Sequence, residues 1–122
     1  MASSPIKSIS AVTLGTHDMG RSIRYYASLG FELKYGNGDA QITSFYCGDS
    51  FLNVVRVSPN KPLTWWGRVI FYVDDVDKLY QRILDAGHEV ETKPRDAEWG
   101  ERYFHVRDPD GHELSFAKPL TP

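Results

Sequence analysis

Two stretches of this chain follow the same plan, and this internal repeat limits the folds that it can adopt. One begins at Val12 and the other at Val69, and each runs through a short apolar segment, an aspartate, a helix-like segment, a glycine and a second apolar segment. Two half-size modules therefore share one chain, at about residues 6–57 and 65–118. Residues 58–64 contain Pro59 and Pro62, which do not easily continue a strand, and are predicted to be the linker.

The helix-like segment of the second module is the more strongly marked. Its apolar residues have the i, i+3, i+4, i+7 and i+8 spacing of one buried stripe, and they are Val76, Leu79, Tyr80, Ile83 and Leu84. Asp75 is placed to cap the free N–H groups at its start, and Gly87 to end it in the left-handed conformation. We predict one helix at Val76–Asp85 and another at Met19–Ser28, the latter capped by Asp18.

Runs rich in β-branched and aromatic residues predict the strands. In the first module they are Val12–Gly15, a short run from Phe31 to Leu33, Gln41–Cys47 and Ser50–Val57. In the second module they are Val69–Val73, a short run at Glu89 and Val90, Arg102–Arg107 and Glu113–Ala117. The predicted hairpin turns are Gly48-Asp49 and Asp108-Pro109-Asp110-Gly111. In the second turn, Pro109 presets the first central position and Gly111 supplies the positive φ of a bulge.

Composition excludes several classes of protein. The chain has 122 residues, enough for one domain with a core, and its 41% hydrophobic and 25% charged residues are typical of soluble globular proteins. A formal net charge of -2 provides no field to attract nucleic acid, and no apolar run approaches the roughly 18 residues that span a membrane. The single Cys47 cannot form an internal disulfide, and no secretory leader is visible, so we expect a cytoplasmic protein.

Alternation along each predicted strand assigns its side chains to two faces of a sheet. The more uniformly apolar face has to contact the helix, which turns Arg68, Ile70 and Tyr72 the other way. The hairpin turns set the register, and the second turn places His105 opposite Ser115. The face away from the helices is therefore rich in aromatic and polar groups, which is unusual for a sheet face that only meets water.

Two such faces, placed against each other, would enclose a cavity. It would surround Arg68 and Asn53 with aromatic and polar side chains, namely Tyr46, Phe51, Tyr72, Tyr103 and His105. A mostly apolar cavity with a few converging polar groups is the general form of a small-molecule site. The alternative is that these residues fill a closed core between the modules, where an unpaired Arg68 would be costly. The sequence leaves open whether the modules close within one chain or between two.

Three stretches resemble those of a known superfamily. They read VTLGTHDMGRSIRYYASLGF from Val12 to Phe31, VIFYVDDVDKLYQRILDAG from Val69 to Gly87, and RDPDGHELSF from Arg107 to Phe116. Together they are similar to the vicinal-oxygen-chelate superfamily, which includes glyoxalase I, extradiol dioxygenases, fosfomycin-resistance enzymes and bleomycin-resistance proteins. Trp99-Gly100-Glu101-Arg102 is similar to a tryptophan-glycine-arginine stretch of the bleomycin-resistance proteins. The resemblance implies an α+β fold of two tandem βαβββ modules that form a cup-shaped, glyoxalase-like mixed sheet with the helices outside.

Metal-using members of that superfamily carry His, Glu or Gln ligands at one position on the first and last strand of each module. The resemblance assigns these positions to Ala11, Asn53, Arg68 and Ser115. Ala11 offers no donor, and Arg68 brings a permanent positive charge to the place of a cation. At about 4 Å two unit charges repel by roughly 4 kcal/mol with an effective dielectric near 20, and a dication doubles this. We expect neither a metal nor another cofactor.

We expect the chain to bind a small, flat molecule that is anionic or carries a carbonyl, with Arg68 as the charge anchor. The predicted ligand-binding residues are Arg68, Asn53, Ser115, His105, Tyr72, Tyr46, Phe51, Trp66, Trp99, Tyr103 and Arg102. Resistance to a drug or toxin would be one use of such binding. By resemblance we also expect a homodimer, with Trp65 and Trp66 as candidate contacts.

Two other functions remain open. One is a lyase, isomerase or dioxygenase of the same superfamily, with a displaced metal or with His105 as the acid-base group, because His105 is the histidine predicted to enter the cavity. The other is an accessory or scaffolding dimer whose pocket is vestigial.

Overall fold

The computed structural model describes residue 5 and residues 8–120, and in them the two halves of the chain repeat one βαβββ unit. The elements are β1 (Ala11–Thr16), α1 (Met19–Leu29), β2 (Leu33–Tyr35), β3 (Ile42–Cys47), β4 (Ser50–Arg56), β5 (Arg68–Tyr72), α2 (Val76–Asp85), β6 (Arg95–Asp96), β7 (Glu101–Arg107) and β8 (Glu113–Pro119). They form two four-stranded mixed sheets with the equivalent orders β1-β4-β3-β2 and β5-β8-β7-β6. The predicted α+β fold of two tandem modules is confirmed.

Both helices begin and end where capping chemistry predicts. The carboxylate of Asp18 accepts from Arg21 N at 3.0 Å, and that of Asp75 accepts from Lys78 N at 3.0 Å. After the helices, Gly30 and Gly87 have φ values of 106° and 84°, which a side chain would oppose. The predicted bounds of α2 are confirmed, and α1 extends one residue further than predicted.

The predicted register of both hairpins is also confirmed. Cys47 pairs with Ser50 across the first turn, and His105 pairs with Ser115 beyond the second. In each module the first strand lies parallel to the last, so β1 pairs with β4 and β5 pairs with β8. The parallel pairing brings Arg68 alongside Glu113, a neighbour that the hairpin register alone does not reveal.

The second strand of each module begins later than predicted. In the first module Phe31 N still donates to Tyr26 O at 3.1 Å to close the helix, so β2 starts at Leu33. In the second module Glu89 and Val90 lie outside the ladder, and β6 is the two-residue pair Arg95–Asp96. Pro94 precedes it and has no N–H to donate, which leaves little backbone for a longer ladder.

The two modules share one hydrophobic core on the sides of the sheets that carry the helices. Buried side chains of both modules belong to a single cluster, and the rings of Phe31 and Phe71 pack edge to face at 5.2 Å. Tyr26 on α1 donates its hydroxyl to Asp108, near the end of β7, at 2.6 Å. The helix-bearing faces therefore meet inside the chain, and the opposite faces of both sheets point outward.

The longer helix, α1, has 11 residues, and neither helix within the described ranges has the length and apolar character that a membrane crossing requires.

Candidate ligand-binding site

Three neighbouring strands of the second sheet each contribute a polar side chain to a cluster on the outer face, away from α2. They are Arg68 on β5, Ser115 on β8 and His105 on β7. Ser115 pairs with Ile70 of β5 on one side and with His105 of β7 on the other. Because side chains alternate along each strand, all three polar side chains lie on the same face. The sequence predicts this grouping, and the structure brings the three side chains within hydrogen-bonding distance of one another.

These residues form a directional chain of hydrogen bonds. Arg68 Nη1 donates to Ser115 Oγ at 2.9 Å, and Ser115 Oγ lies 2.7 Å from His105 Nδ1. A guanidinium only donates, so Ser115 accepts from Arg68 and its single proton is free to go to His105. Nδ1 of His105 is then the acceptor, and the ring proton of the neutral imidazole is on Nε2. His105 therefore offers the cavity a donor rather than a basic nitrogen.

The environment of His105 favours this neutral state. Burial lowers the pKa of His105 below its usual range, and the positive charge of Arg68 lowers it further. Ser115, which holds Nδ1, is almost fully buried at 2% exposure. The hydrogen bond between them is thus shielded from water, and it fixes the orientation of the His105 ring.

Arg68 has a counter-ion in the chain, which the sequence did not identify. Its Nη2 donates to the carboxylate of Glu113 beside it, and its Nη1 also donates to Leu114 O at 3.2 Å. The side chains of Arg68 and Glu113 are only 25% and 18% exposed, so this ion pair is largely removed from water. Glu113 offsets the charge of Arg68, so an anionic ligand would have to compete with this carboxylate, and an anionic ligand stays a prediction.

A cavity of about 120 Å³ lies over this hydrogen-bonded floor. We call it the Arg68 cavity, and its lining residues are Arg68, Ile70, Trp99, Glu101, Tyr103, His105, Ser115 and Ala117. The ring of Tyr103 lies 5.0 Å from that of His105 and 5.4 Å from that of Trp99, which is tilted by only 31° from it. The result is an aromatic wall beside a polar floor.

Glu101 joins two aromatic side chains at the rim of the Arg68 cavity. Tyr72 donates its hydroxyl to one oxygen of the carboxylate, and Trp99 Nε1 donates to the other at 3.1 Å. Tyr72 is on β5 and Glu101 on β7, so their contact passes over β8 at Ala117, whose small side chain leaves room for it. Through Glu101, the rings of Tyr72 and Trp99 are held in fixed positions.

A larger groove of about 380 Å³ lies elsewhere, beside Tyr25, His88 and Arg107. Its polar side chains already pair with each other or with close neighbours. Arg107 Nε donates to Glu91 at 2.9 Å, and His88 Nε2 lies 2.8 Å from Ser28 Oγ. The smaller Arg68 cavity is the better candidate because its aromatic rings surround a donor, His105 Nε2, that is free to meet a ligand.

The remaining predicted site residues lie away from the Arg68 cavity. Tyr46, Phe51 and Asn53 share the outer face of the first sheet, where the rings of Tyr46 and Phe51 are 6.0 Å apart. Trp66 Nε1 donates to His112 Nδ1 at 2.9 Å, and Arg102 binds Asp77 on α2. The Arg68 cavity is thus made by the second module alone, and no closed core buries the exposed Tyr46, Tyr72 and Trp99.

Comparison with known proteins places the chain in a family. A model of the Glyoxalase/Bleomycin resistance protein/Dioxygenase superfamily matches residues 8–116, nearly the whole chain. The chain belongs to this superfamily. An uncharacterized protein of Mycobacterium bovis is 48% identical over 48 residues, which are 39% of this chain and 32% of that protein. The chain thus matches only about a third of the length of this relative.

Solved structures of the superfamily share the fold. TioX from Micromonospora sp. ML1 is 28% identical, with a TM-score of 0.77 over 93% of this chain and 100% of that one. Lactoylglutathione lyase from Agrobacterium tumefaciens is 23% identical, with a TM-score of 0.75 over 94% and 96% of the two chains. A bleomycin-binding protein complexed with bleomycin is 22% identical, with a TM-score of 0.72 over 93% and 98%.

The residues at the four positions that the resemblance assigns to metal ligands do not fit a metal ion. Arg68 and Ser115 are hydrogen-bonded to each other, and Arg68 directs N–H groups to the place where a metal would need lone pairs. Asn53 lies on the other sheet, where its Nδ2 donates to Thr13 Oγ1 at 3.3 Å, and Ala11 has no donor atom. Within the described ranges, no three His, Cys, Asp or Glu side chains are grouped to hold a metal ion.

The prediction of ligand-binding residues from sequence missed two acidic side chains, Glu101 and Glu113. Both follow from alternation, because Glu101 shares a face with Tyr103 and His105, and Glu113 shares one with Ser115. Alternation does not identify the hydrogen-bond partners of these carboxylates, because Arg68 and Tyr72 reach them from a different strand. The parallel pairing of β5 with β8 is the signal that could have placed Glu113 beside Arg68.

Proposed function

We propose that the Arg68 cavity binds a small planar molecule that presents a hydrogen-bond acceptor, and that it does so without a metal ion. The observation that carries this proposal is the chain from Arg68 through Ser115 to His105. Two of its members, Arg68 and Ser115, stand at positions that the resemblance assigns to metal ligands, and it leaves the Nε2–H of a neutral imidazole as a donor. A carbonyl oxygen of a ligand is the natural partner for such a group.

The walls of the cavity support an aromatic ligand. Ile70 and Ala117 supply apolar surface, and the exposed Trp99, backed by the buried Tyr103, supplies a ring for stacking. Cavities of roughly 150 Å³ in proteins take up benzene, so a volume of about 120 Å³ suits one ring, with the rest of the ligand extending outward. One fold neighbour is a bleomycin-binding protein. Sequestration of a drug or toxin is a use that fits this site.

Catalysis by His105 is less well supported by the geometry. A general base in the cavity needs a free lone pair, but Nδ1 of His105 is bound to Ser115 and Nε2 carries the proton. The hydrogen-bond chain would have to reverse before His105 could accept a proton from a ligand. We therefore favour binding over the lyase, isomerase or dioxygenase alternative.

We also propose that the outer faces of the two sheets meet between two chains. Tyr72 and Trp99 on the second sheet are 66% and 65% exposed, which is costly for side chains of this size unless something covers them. In a dimer, Tyr46 and Phe51 of one chain could close the Arg68 cavity of the other. Sedimentation velocity at micromolar concentration tests this: we expect a dimer, and a monomer would contradict it.

Thermal unfolding with and without metals tests the binding proposal. The protein is stripped with EDTA and screened against aromatic amides and acids, and then against zinc, nickel, manganese and iron salts. A ligand at 100 times its Kd should stabilise the fold by about 2.7 kcal/mol. The rise in Tm that it causes should be the same in EDTA as in the presence of metal salts. Calorimetry showing stoichiometric metal binding that His105→Ala removes would refute the metal-independent site, and no stabilisation by any aromatic compound would favour a scaffold.

A further inference from the structure

We infer that Glu101 makes the Arg68 cavity selective for ligands that carry a protonated amine on a short linker from their hydrogen-bond acceptor. This inference rests on the proposed function, because it specifies the ligand of the same cavity. Glu101 contributes a negative charge at the rim, between two exposed aromatic rings, and takes part in no ion pair with the residues that the structure describes.

Both oxygens of the Glu101 carboxylate accept hydrogen bonds, but no positive charge is paired with it among the described residues. Its two oxygens accept hydrogen bonds from the hydroxyl of Tyr72 and from Trp99 Nε1, and both donors are uncharged. Glu101 takes part in none of the ion pairs found among residues 8–120. The two hydrogen bonds hold the negative charge in place, and a cation from outside the chain is what would balance it.

The rings beside Glu101 have free faces that also attract cations. Trp99 covers Tyr103 with one face at 5.4 Å and is otherwise mostly exposed, as is Tyr72. The faces of tryptophan and tyrosine rings are electron-rich, and they attract ammonium groups within about 6 Å of the ring centre. Tyr72 and Trp99 contact the carboxylate through groups at their ring edges, so an organic ammonium group bound at Glu101 would have their faces close by.

The other end of the Arg68 cavity has the opposite polarity. His105 presents its Nε2–H there, and Arg68 donates toward the floor with its charge offset by Glu113. Among the charged residues that line the cavity, Glu101 is therefore the one without an ion pair in the described part of the chain. Arg95, outside the lining, lies over the aromatic wall, 5.3 Å from the ring centre of Tyr103. A ligand that matches both ends places a carbonyl at His105, an aromatic ring over Ile70 and Ala117, and an ammonium group at Glu101.

Three amides of nearly equal size test this polarity. N-(2-aminoethyl)benzamide carries a cation, N-propylbenzamide is its neutral counterpart, and N-benzoyl-β-alanine carries an anion. Binding is followed by calorimetry or by NMR titration, since fragments of this size bind weakly. We expect the cationic amide to bind about tenfold more tightly than the neutral one, a typical effect of a fixed charge with ring contacts, and the anionic amide to bind most weakly.

The variant Glu101→Gln removes the charge and keeps oxygen and nitrogen atoms of the same shape. It should reduce the affinity for the cationic amide about five- to tenfold and that for the neutral amide less than twofold. The matched control is Glu98→Gln, which removes the same charge from an exposed residue outside the cavity and should leave both affinities unchanged. In the unaltered protein, rising salt should weaken the binding of the cationic amide, leave that of the neutral amide unchanged and, by screening repulsion, not weaken that of the anionic amide. This result tests the inference even if Glu101→Gln folds poorly.

The results separate this inference from the proposed function. Equal affinities for the cationic and neutral amides, insensitive to Glu101→Gln, would overturn the role of Glu101 and leave the binding site in place. A loss in Glu98→Gln as large as in Glu101→Gln would also overturn it, because the effect would then come from overall charge. Absence of binding by all three amides at millimolar concentration would count against the proposed function itself.

Discussion

His105 Nδ1 and Ser115 Oγ lie 2.7 Å apart on paired strands, and this contact determines what the outer face of the second sheet can do. Ser115 stands where the superfamily resemblance assigns a metal ligand, yet its oxygen accepts from Arg68 and its proton is directed to His105. At these positions Arg68 and Ser115 are bound to each other and direct hydrogen-bond donors toward the cavity floor and His105. The hydrogen bonds from Arg68 through Ser115 to His105, and the residues that support them, determine how the protein should respond to substitution.

Replacing the hydroxyl in Ser115→Ala should destabilise the protein and release the His105 ring. Arg68 and His105 would each lose a buried hydrogen-bond partner, which we expect to cost about 1–3 kcal/mol of unfolding free energy. Urea denaturation measures the loss, and ¹⁵N NMR of the imidazole should show a mixture of tautomers. The control is Ser58→Ala in the exposed linker, which should change the unfolding free energy by less than about 0.5 kcal/mol. If Ser58→Ala destabilises the protein as much as Ser115→Ala, Ser115 has no special role.

Removing the charge of Glu113 should leave Arg68 without its counter-ion. Because both side chains are mostly buried, Glu113→Gln should lower the unfolding free energy by about 1–3 kcal/mol and increase the affinity for N-benzoyl-β-alanine. The matched control is Glu91→Gln, whose ion pair with Arg107 is more exposed and should be worth less than about 1 kcal/mol. If anion affinity does not rise, Arg68 is not accessible to a ligand.

The low pKa of His105 predicts a loss of stability in mild acid. Burial, and then the charge of Arg68, lowers this pKa below the 6.5 of an unperturbed histidine. The unfolded chain therefore binds the proton first, and stability falls as the pH drops from 6.5 through the lower folded-state value. Urea unfolding at several pH values, compared with His105→Gln, isolates this contribution. An NMR titration in which the His105 ring titrates above 6.5 would contradict the sign.

The N-cap of α2 offers a test of the scaffold rather than of the site. Asp75→Ala removes the acceptor for Lys78 N and should cost about 1 kcal/mol of unfolding free energy. Asp74→Ala is the matched control, since Asp74 is an exposed neighbour that does not cap the helix, and it should be close to neutral. Equal losses in the two variants would mean that general charge, not capping, stabilises α2.

The sequence predicts most of the fold because its signals are local. Alternation and helical spacing placed α2 and both hairpins, and the turn around Pro109 and Gly111 set the contact between His105 and Ser115. β6 was misplaced because its two residues carry too short a pattern to detect. The sheet face that bears the candidate site was predictable because side chains alternate along each strand.

The charges of the site were harder to predict, because they depend on contacts between distant strands. Glu113 reaches Arg68 across 45 residues of chain, and Glu101 reaches Tyr72 across 29. Alternation identifies the face of each side chain but not its partner. The arrangement of the modules was likewise set by contacts such as Tyr26 with Asp108, which no local pattern shows.

Chemical-shift mapping with N-(2-aminoethyl)benzamide tests most directly whether the outer face of the second sheet is a metal-independent binding site. Spectra of the EDTA-treated protein are recorded as the amide is added, and again after zinc or manganese is restored. We predict saturable shifts confined to residues 68–72, 99–105 and 113–117, with the same Kd in the presence and absence of metal. Shifts elsewhere in the chain, or binding that appears only with metal, would contradict the account.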